Sequence, residues 1–286
     1  MYVSWDGSLD EVVGGAFDIS TLDVHSCHDL TRGAFELYKE TGMIVNLAAS
    51  VYVSDDDSEY PLSRNEAIAV GLLVRLSKFM LVVAQLAAEN ERGDVIFVLN
   101  RCILESATNL AYLLQKDEEA VYDQFVLSSF GPEKELFDVI QRNIASRGYQ
   151  IPIETRMLAS IGDACAIAGS KIEDLSRRLS DWGGNMRIRM REIGDEELYA
   201  GMQRVPSHAV HGTWMDLYKH HFKGKDGRFA PDPRWCPVDA RLLAPIAIWV
   251  LNAAQTYLNK WRDEVGAQLI LDRCDDLINR LHTVDE

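Results

Sequence analysis

Cysteine is scarce in this chain. Cys27, Cys102, Cys165, Cys236 and Cys274 are far apart and form no C-x-x-C pair, so neither a disulfide framework nor a zinc knuckle is indicated. A reducing compartment is the simplest setting, and the expected location is the cytoplasm. Met1 to Asp10 carries Asp6 and Asp10 and has no basic n-region leading into an apolar h-region, which argues against a secretory signal. Uninterrupted hydrophobic runs are lacking too. Ala67 to Ala88 is broken by Arg75, Lys78 and Gln85, and Leu242 to Leu258 by Pro245, Asn252 and Gln255, short of the roughly 18 apolar residues of a membrane span. No membrane partner is expected. Neither G-x-G-x-x-G nor G-x-x-x-x-G-K-S/T occurs, which removes the common glycine-rich phosphate loops. Paired E-x-x-H carboxylates, which a di-metal site inside a bundle requires, are also missing, so no cofactor and no metal are expected. His25 and His28 beside Cys27 lack a second pair of ligands to complete a site.

Positive charge is in deficit, with 29 Lys and Arg against 44 Asp and Glu and a net charge of −15. That balance excludes nucleic-acid binding by the surface as a whole, because phosphate backbones need basic footprints. The deficit is uneven. Residues 177–234 hold 11 basic and 8 acidic residues, a local +3 that leaves −18 for the remainder. This segment reads either as ordinary surface variation or as the place where RNA or another anionic ligand would be accepted.

Strand signals are few as well, the short Met43 to Val53 stretch being the exception, while apolar residues recur at helical spacing nearly everywhere. The fold class is therefore all-α, a multi-helix bundle with C-terminal helices. A first helix is expected over Thr21 to Ala49, with Cys27, Leu30, Ala34, Leu37, Tyr38 and Ile44 facing inward. The acidic run Asp55 to Asp57 and Pro61 reads as a solvated loop. Ser63-x-x-Glu66 is a capping box opening a helix to about Asn90, with Gly93 as its stop. Asp94 can cap the next helix, to Lys116. These two very apolar helices make an antiparallel hairpin expected at the centre of the bundle. Helices follow at Asp117 to Ser129, Pro132 to Ser146 and Ile153 to Arg178, then a turn at Asp181 to Asn185. A helix over Glu196 to His221 carries Pro206 in its interior, where proline kinks or breaks it. Lys223 to Pro237 is the longest loop, and helices over Val238 to Glu264 and Gln268 to His282 close the chain. No internal repeat or linker is found. The expected organisation is a single helical domain, 1–286: an N-terminal helix and acidic loop over 1–60, a bundle core over 61–222 and a C-terminal helical extension over 238–286.

Two polar constellations interrupt the apolar pattern. Arg101, Glu105, Asn109 and Tyr112 fall on one stripe of an otherwise apolar helix. Burying Arg101 and Glu105 unpaired would cost about 3 to 5 kcal/mol, so they must bond each other or a group across the bundle, as a register-fixing pair or as part of a site. Arg204, Ser207, His208, His211, Gly212, Trp214 and Tyr218 surround the proline. Ser207 and His211 can face one way, with Trp214 and Tyr218 continuing that side. A histidine beside an arginine and a hydroxyl is a general acid/base with anion stabilisation. The competing reading of His211 is a core histidine bonded to Glu105 or to a backbone carbonyl.

Arg101-x-x-x-Glu105, Tyr112-Leu113 and, about 95 residues on, Ser207-x-x-x-His211-Gly212-Thr213 resemble the pattern of the uncharacterised helical family called domain of unknown function 5677, over roughly residues 60–225. That resemblance brings no activity with it. Arg204-x6-His211, with Val210-His211-Gly212-Thr213-Trp214, is more distantly similar to the HEPN helical bundles. Their ribonuclease members use an arginine and a histidine at this spacing. Val205 stands where active members usually have a polar residue, and Pro206 interrupts the helix. The HEPN likeness implies a metal-independent ribonuclease of a bacterial stress or defence system, working as a homodimer, with His211 as acid or base and Arg204 on the phosphate; Ser207 joins them as a candidate catalytic residue on its spacing to His211. The other reading is a non-catalytic helical interaction module in which the Arg/Glu/His cluster is structural.

Overall fold

The computed structural model describes residues 9–23, 25–51, 62–88, 92–175, 182–238, 242–262 and 265–285. The acidic run Asp55 to Asp57, Pro61 and the start of the expected turn at Asp181 lie outside them. The all-α expectation holds. Beyond helices and their connections, the described residues contain one two-stranded hairpin.

The chain forms two compact units, Met1–Gln115 with Arg189–Glu286, and Lys116–Ile188. In the first, α1 (Leu9–Val13) and a 3₁₀ turn (Ile19–Thr21) precede α2 (Cys27–Ser50), α3 (Arg64–Ala87) and α4 (Gly93–Lys116). After the second unit come the short helices and hairpin of residues 196–231, then α11 (Leu243–Trp261) and α12 (Val265–Asp285). The expected helix from Thr21 is split because two caps compete for it. Asp18 accepts the Ser20 N–H, and Ser26 accepts the Asp29 N–H that starts α2. Met43 to Ser50 is helix, not strand: Ile44, Val45, Ala48 and Ala49 are all buried, the i, i+1, i+4, i+5 pattern of a helical face.

The sequence points to α3 and α4 as the centre, but α2 is the hub, packing on α3, α11 and α12. Gly42 lets α2 approach α3, since a Cβ there would stand 3.2 Å from Met80 Cβ. Helix α4 lies beside α3, with Arg75 Nε donating to Ser106 Oγ at 3.1 Å. Arg75 lies about as far before the end of α3 as Ser106 lies beyond the start of α4, as an antiparallel pair requires. Ser63 accepts the Glu66 N–H as expected, and the Glu66 carboxylate is taken by Arg262, which also donates to Tyr257 Oη and the Val51 carbonyl. Helix α3 is long and apolar enough to cross a membrane by length and composition, and Leu73, Leu76, Met80 and Val83 of it are buried in the bundle.

Gly93 does not stop a helix. It begins α4, donates its N–H to the Cys236 carbonyl at 2.9 Å, and would drive a Cβ to within 2.2 Å of the Pro237 oxygen. Its role is close backbone approach rather than a left-handed cap.

The second unit holds α5 (Glu119–Ser129), α6 (Gly131–Arg147) and α7 (Pro152–Ile167). Phe130, Ile161, Cys165, Ile172 and Leu175 form a core cluster, and Phe125 meets Trp182 edge-on at 4.9 Å. Gly148 closes α6 at φ 82° as a left-handed cap. The expected Ile153 to Arg178 helix ends early, because Gly169 at φ 72° turns the chain into a 3₁₀ segment at Ile172–Asp174. Helix α8 (Met186–Glu192) follows, in a stretch where the sequence pattern predicts no helix.

Candidate functional site

Pro206 does more than kink the expected Glu196 to His221 helix. A 3₁₀ turn (Glu196–Leu198) passes into a π-helix (Tyr199–Arg204), then α9 (Ser207–His211) and α10 (Trp214–His220). The wider helix ends at the proline: Val205 N–H reaches back five residues to the Ala200 carbonyl, and the Ser207 hydroxyl donates to the Gln203 carbonyl at 2.7 Å. A π segment is uncommon and occurs frequently at functional sites. Gly212 explains the His-Gly ending in local terms. At φ 55° it is the left-handed cap of α9, with its N–H on the His208 carbonyl. His208 then holds Thr213, Nδ1 to Oγ1 at 2.7 Å.

The two constellations meet at one residue. Arg101 Nη1 donates to Glu105 at 2.6 Å, and Arg101 Nε donates to Ser207 Oγ at 3.2 Å. Helix α4 is thereby tied to α9 through side chains 106 residues apart. The expectation that both members of the pair are buried is corrected: the Arg101 side chain is 19% exposed, but that of Glu105 is 46%. Tyr112 is buried, and the Asn109 Oδ1 oxygen is buried without a hydrogen-bond partner among the described residues. The Asn100 and Gln203 amides are likewise buried and unpaired among the described residues.

Arg204 and His211 stand apart from this network. Both are exposed, and their side chains have no hydrogen bond or ion pair among the described residues. His211 is therefore not a core histidine bonded to Glu105. Ser207, which sequence spacing places on one side with His211, Trp214 and Tyr218, accepts from Arg101, and the left-handed Gly212 ends α9 before the helix that carries Trp214 and Tyr218 begins.

Sequence reasoning missed a surface formed by the residues that follow in the chain. The segment read as a loop contains a hairpin, β1 (Phe222–Lys225) and β2 (Arg228–Pro231), joined at Asp226 (φ 51°) and Gly227 (φ 73°). An Asp-Gly pair with both φ positive is a preferred two-residue hairpin turn, and Asp226-Gly227 was the available signal. The hairpin brings Phe222 and Phe229 to Trp214 at 5.2 and 5.7 Å between ring centroids, and Trp214 stacks on Tyr218 at 6.4 Å with 14° between planes. Trp214, Tyr218 and Phe229 are 58%, 55% and 58% exposed. Lys223, Lys225 and Arg228 sit on the same two strands, while Asp232 is occupied by Arg234 and Lys223, its carboxyl held well below the usual range by the Arg234 guanidinium.

A Cys/His pair lies close by, with His220 Nδ1 and Cys236 Sγ 2.9 Å apart. It does not form an activated nucleophile. Burial, then Asp94, Asp232 and Asp216, push the thiol up, which disfavours the thiolate that a nucleophile needs. His221 is paired with Asp216 at 3.2 Å. Among the described residues no three His, Cys, Asp or Glu side chains gather as a metal site, and His28 contacts Asp29.

Comparison with known proteins gives one finding. Residues 66–229 match the model of a family described as "Family of unknown function (DUF5677)". No curated protein and no solved structure matches.

Proposed function

The chain belongs to the family of unknown function DUF5677, and on that premise we propose that the surface over residues 204–231 binds single-stranded RNA and cleaves it without a metal. What supports this reading is that Arg204 and His211 are exposed and have no side-chain hydrogen bond or ion pair among the described residues, in the same stretch of chain as exposed stacked rings and basic strands. Bases stack on aromatic faces at about 1 to 3 kcal/mol each, and lysines and arginines follow the backbone. The acidic remainder of the chain confines such binding to this patch.

In the proposed reaction His211 takes the proton of a ribose 2′-hydroxyl. The freed oxygen attacks the adjacent phosphorus, and the bond from phosphorus to the 5′-oxygen breaks. The leaving oxygen takes a proton from solvent, and Arg204 stabilises the charge on the phosphoryl oxygens in transit. The products are a 2′,3′-cyclic phosphate and a 5′-hydroxyl. The distant HEPN likeness further suggests a homodimeric working unit.

A second reading, a non-catalytic interaction module, has an observation in its favour. Among the described residues no hydrogen-bond partner fixes the His211 ring, whereas acid/base histidines are oriented by a third group. Incubating the purified protein with end-labelled single-stranded RNA in EDTA separates the two. Cleavage with cyclic phosphate ends is the expected result, and binding without cleavage moves the assignment to the module.

A further inference from the structure

Elsewhere in the first unit a cavity of about 550 Å³ opens beside α11, within the range of small-molecule sites. Its walls are mainly apolar: Ile248 and Trp249 of α11, Ala111 of α4, and Leu198 and Met202 of the 3₁₀/π segment. One acidic residue, Asp195, is part of the lining. Asp195 occupies the N-cap position of the 3₁₀ turn at Glu196–Leu198, yet its side chain makes no capping hydrogen bond. It has no cationic partner among the described residues either. Burial alone raises its carboxyl above the ordinary range. A partly dehydrated, uncompensated carboxylate is unfavourable in the free protein and is relieved by whatever brings a positive charge to it. The remaining polar lining, Gln115, Asn252 and Thr256, is neutral, and His282 is the other titratable group on the wall.

We propose that this cavity is a binding site for a small organic cation, an amine carried on an aromatic or aliphatic body, with the ammonium on Asp195 and the body against Trp249, Ile248 and Met202. A carboxylate accepts a charge-assisted hydrogen bond from such a group, and the apolar wall takes the rest of the ligand out of water. An anionic ligand would meet Asp195 with like charge, and a neutral one would leave it unpaired. This site is independent of the RNA reading, since none of Arg204, His211 or the stacked rings lines it.

Titration calorimetry with tryptamine as probe, at about pH 8 where histidine is ordinarily neutral, tests the assignment on the wild-type protein. Tryptamine should bind once per chain, about tenfold or more tighter than N-acetyltryptamine, which has the same rings without the charge. Asp195→Asn should erase that difference, whereas Asp272→Asn, an exposed carboxylate outside the cavity, should leave it intact. Because the substitution removes a dehydrated charge, D195N should melt no lower than wild type. Equal binding of the two compounds by the wild type, absence of saturable tryptamine binding, or retention of the preference in D195N would overturn the proposal.

Discussion

Arg101 shares its guanidinium between two acceptors of different kinds. Glu105 is half exposed and Ser207 half buried, so the two bonds should differ in weight. Exposed ion pairs contribute about 0 to 1 kcal/mol, and both Glu105→Ala and Glu105→Gln should lose less than about 1 kcal/mol. Ser207→Ala removes the acceptor of Arg101 Nε and the donor to the Gln203 carbonyl together, and should cost about 1 to 2 kcal/mol. Urea unfolding of the three variants checks the order. A larger loss for Glu105→Ala than for Ser207→Ala would show that the pair on α4, and not the link to α9, holds this corner of the fold. The stripe itself was legible from i, i+4 spacing; its cross-helix partner was not, because Ser207 lies beyond a break whose direction the pattern of polar residues does not encode.

Among the elements, α12 is joined to α2 by a buried charge cluster as well as by apolar packing. Glu40 receives Arg273 Nε at 2.7 Å and both terminal nitrogens of Arg280 at 2.8 Å, and Arg280 is also paired with Asp276. Removing the shared carboxylate leaves two guanidinium groups short of their partner in a low-dielectric site, so Glu40→Ala should cost about 3 to 5 kcal/mol, measured by denaturant unfolding. A loss under about 1 kcal/mol would mean that the arginines find water or Asp276 instead. Nothing in the local sequence pairs Glu40 with residues more than 230 positions away, whereas the helices themselves were readable from apolar periodicity and caps such as Ser63, Pro132 and Gly148. The failures cluster between Glu196 and Pro231. There a proline, a left-handed glycine and an Asp-Gly turn succeed one another, and each ends an element that periodicity alone would continue.

At the scale of the molecule, each compact unit carries its own test. In the unit Lys116–Ile188, Glu154 accepts Arg147 and the Ile151 N–H, which hold its carboxyl below the ordinary range. A carboxylate lowered on folding adds stability that is complete above its unfolded value, about pH 4.3, and is lost as the pH falls through the folded value. Acid titration followed by hydrogen exchange should therefore open α6 and α7 of wild type below about pH 4, with that acid-dependent part absent in Glu154→Gln. Equal acid sensitivity in the two would contradict the assignment. In the unit Met1–Gln115 with Arg189–Glu286, the segment 204–231 stands out as a basic, aromatic surface on a chain of net charge −15. The Arg204 and His211 side chains make no hydrogen bond or ion pair among the described residues. The most direct measurement is cleavage of single-stranded RNA in EDTA by wild type and His211→Ala side by side, with a melting curve for each. Cleavage by wild type alone, with melting temperatures within a few degrees, is the predicted result. Cleavage retained in His211→Ala, or none by wild type, would contradict it.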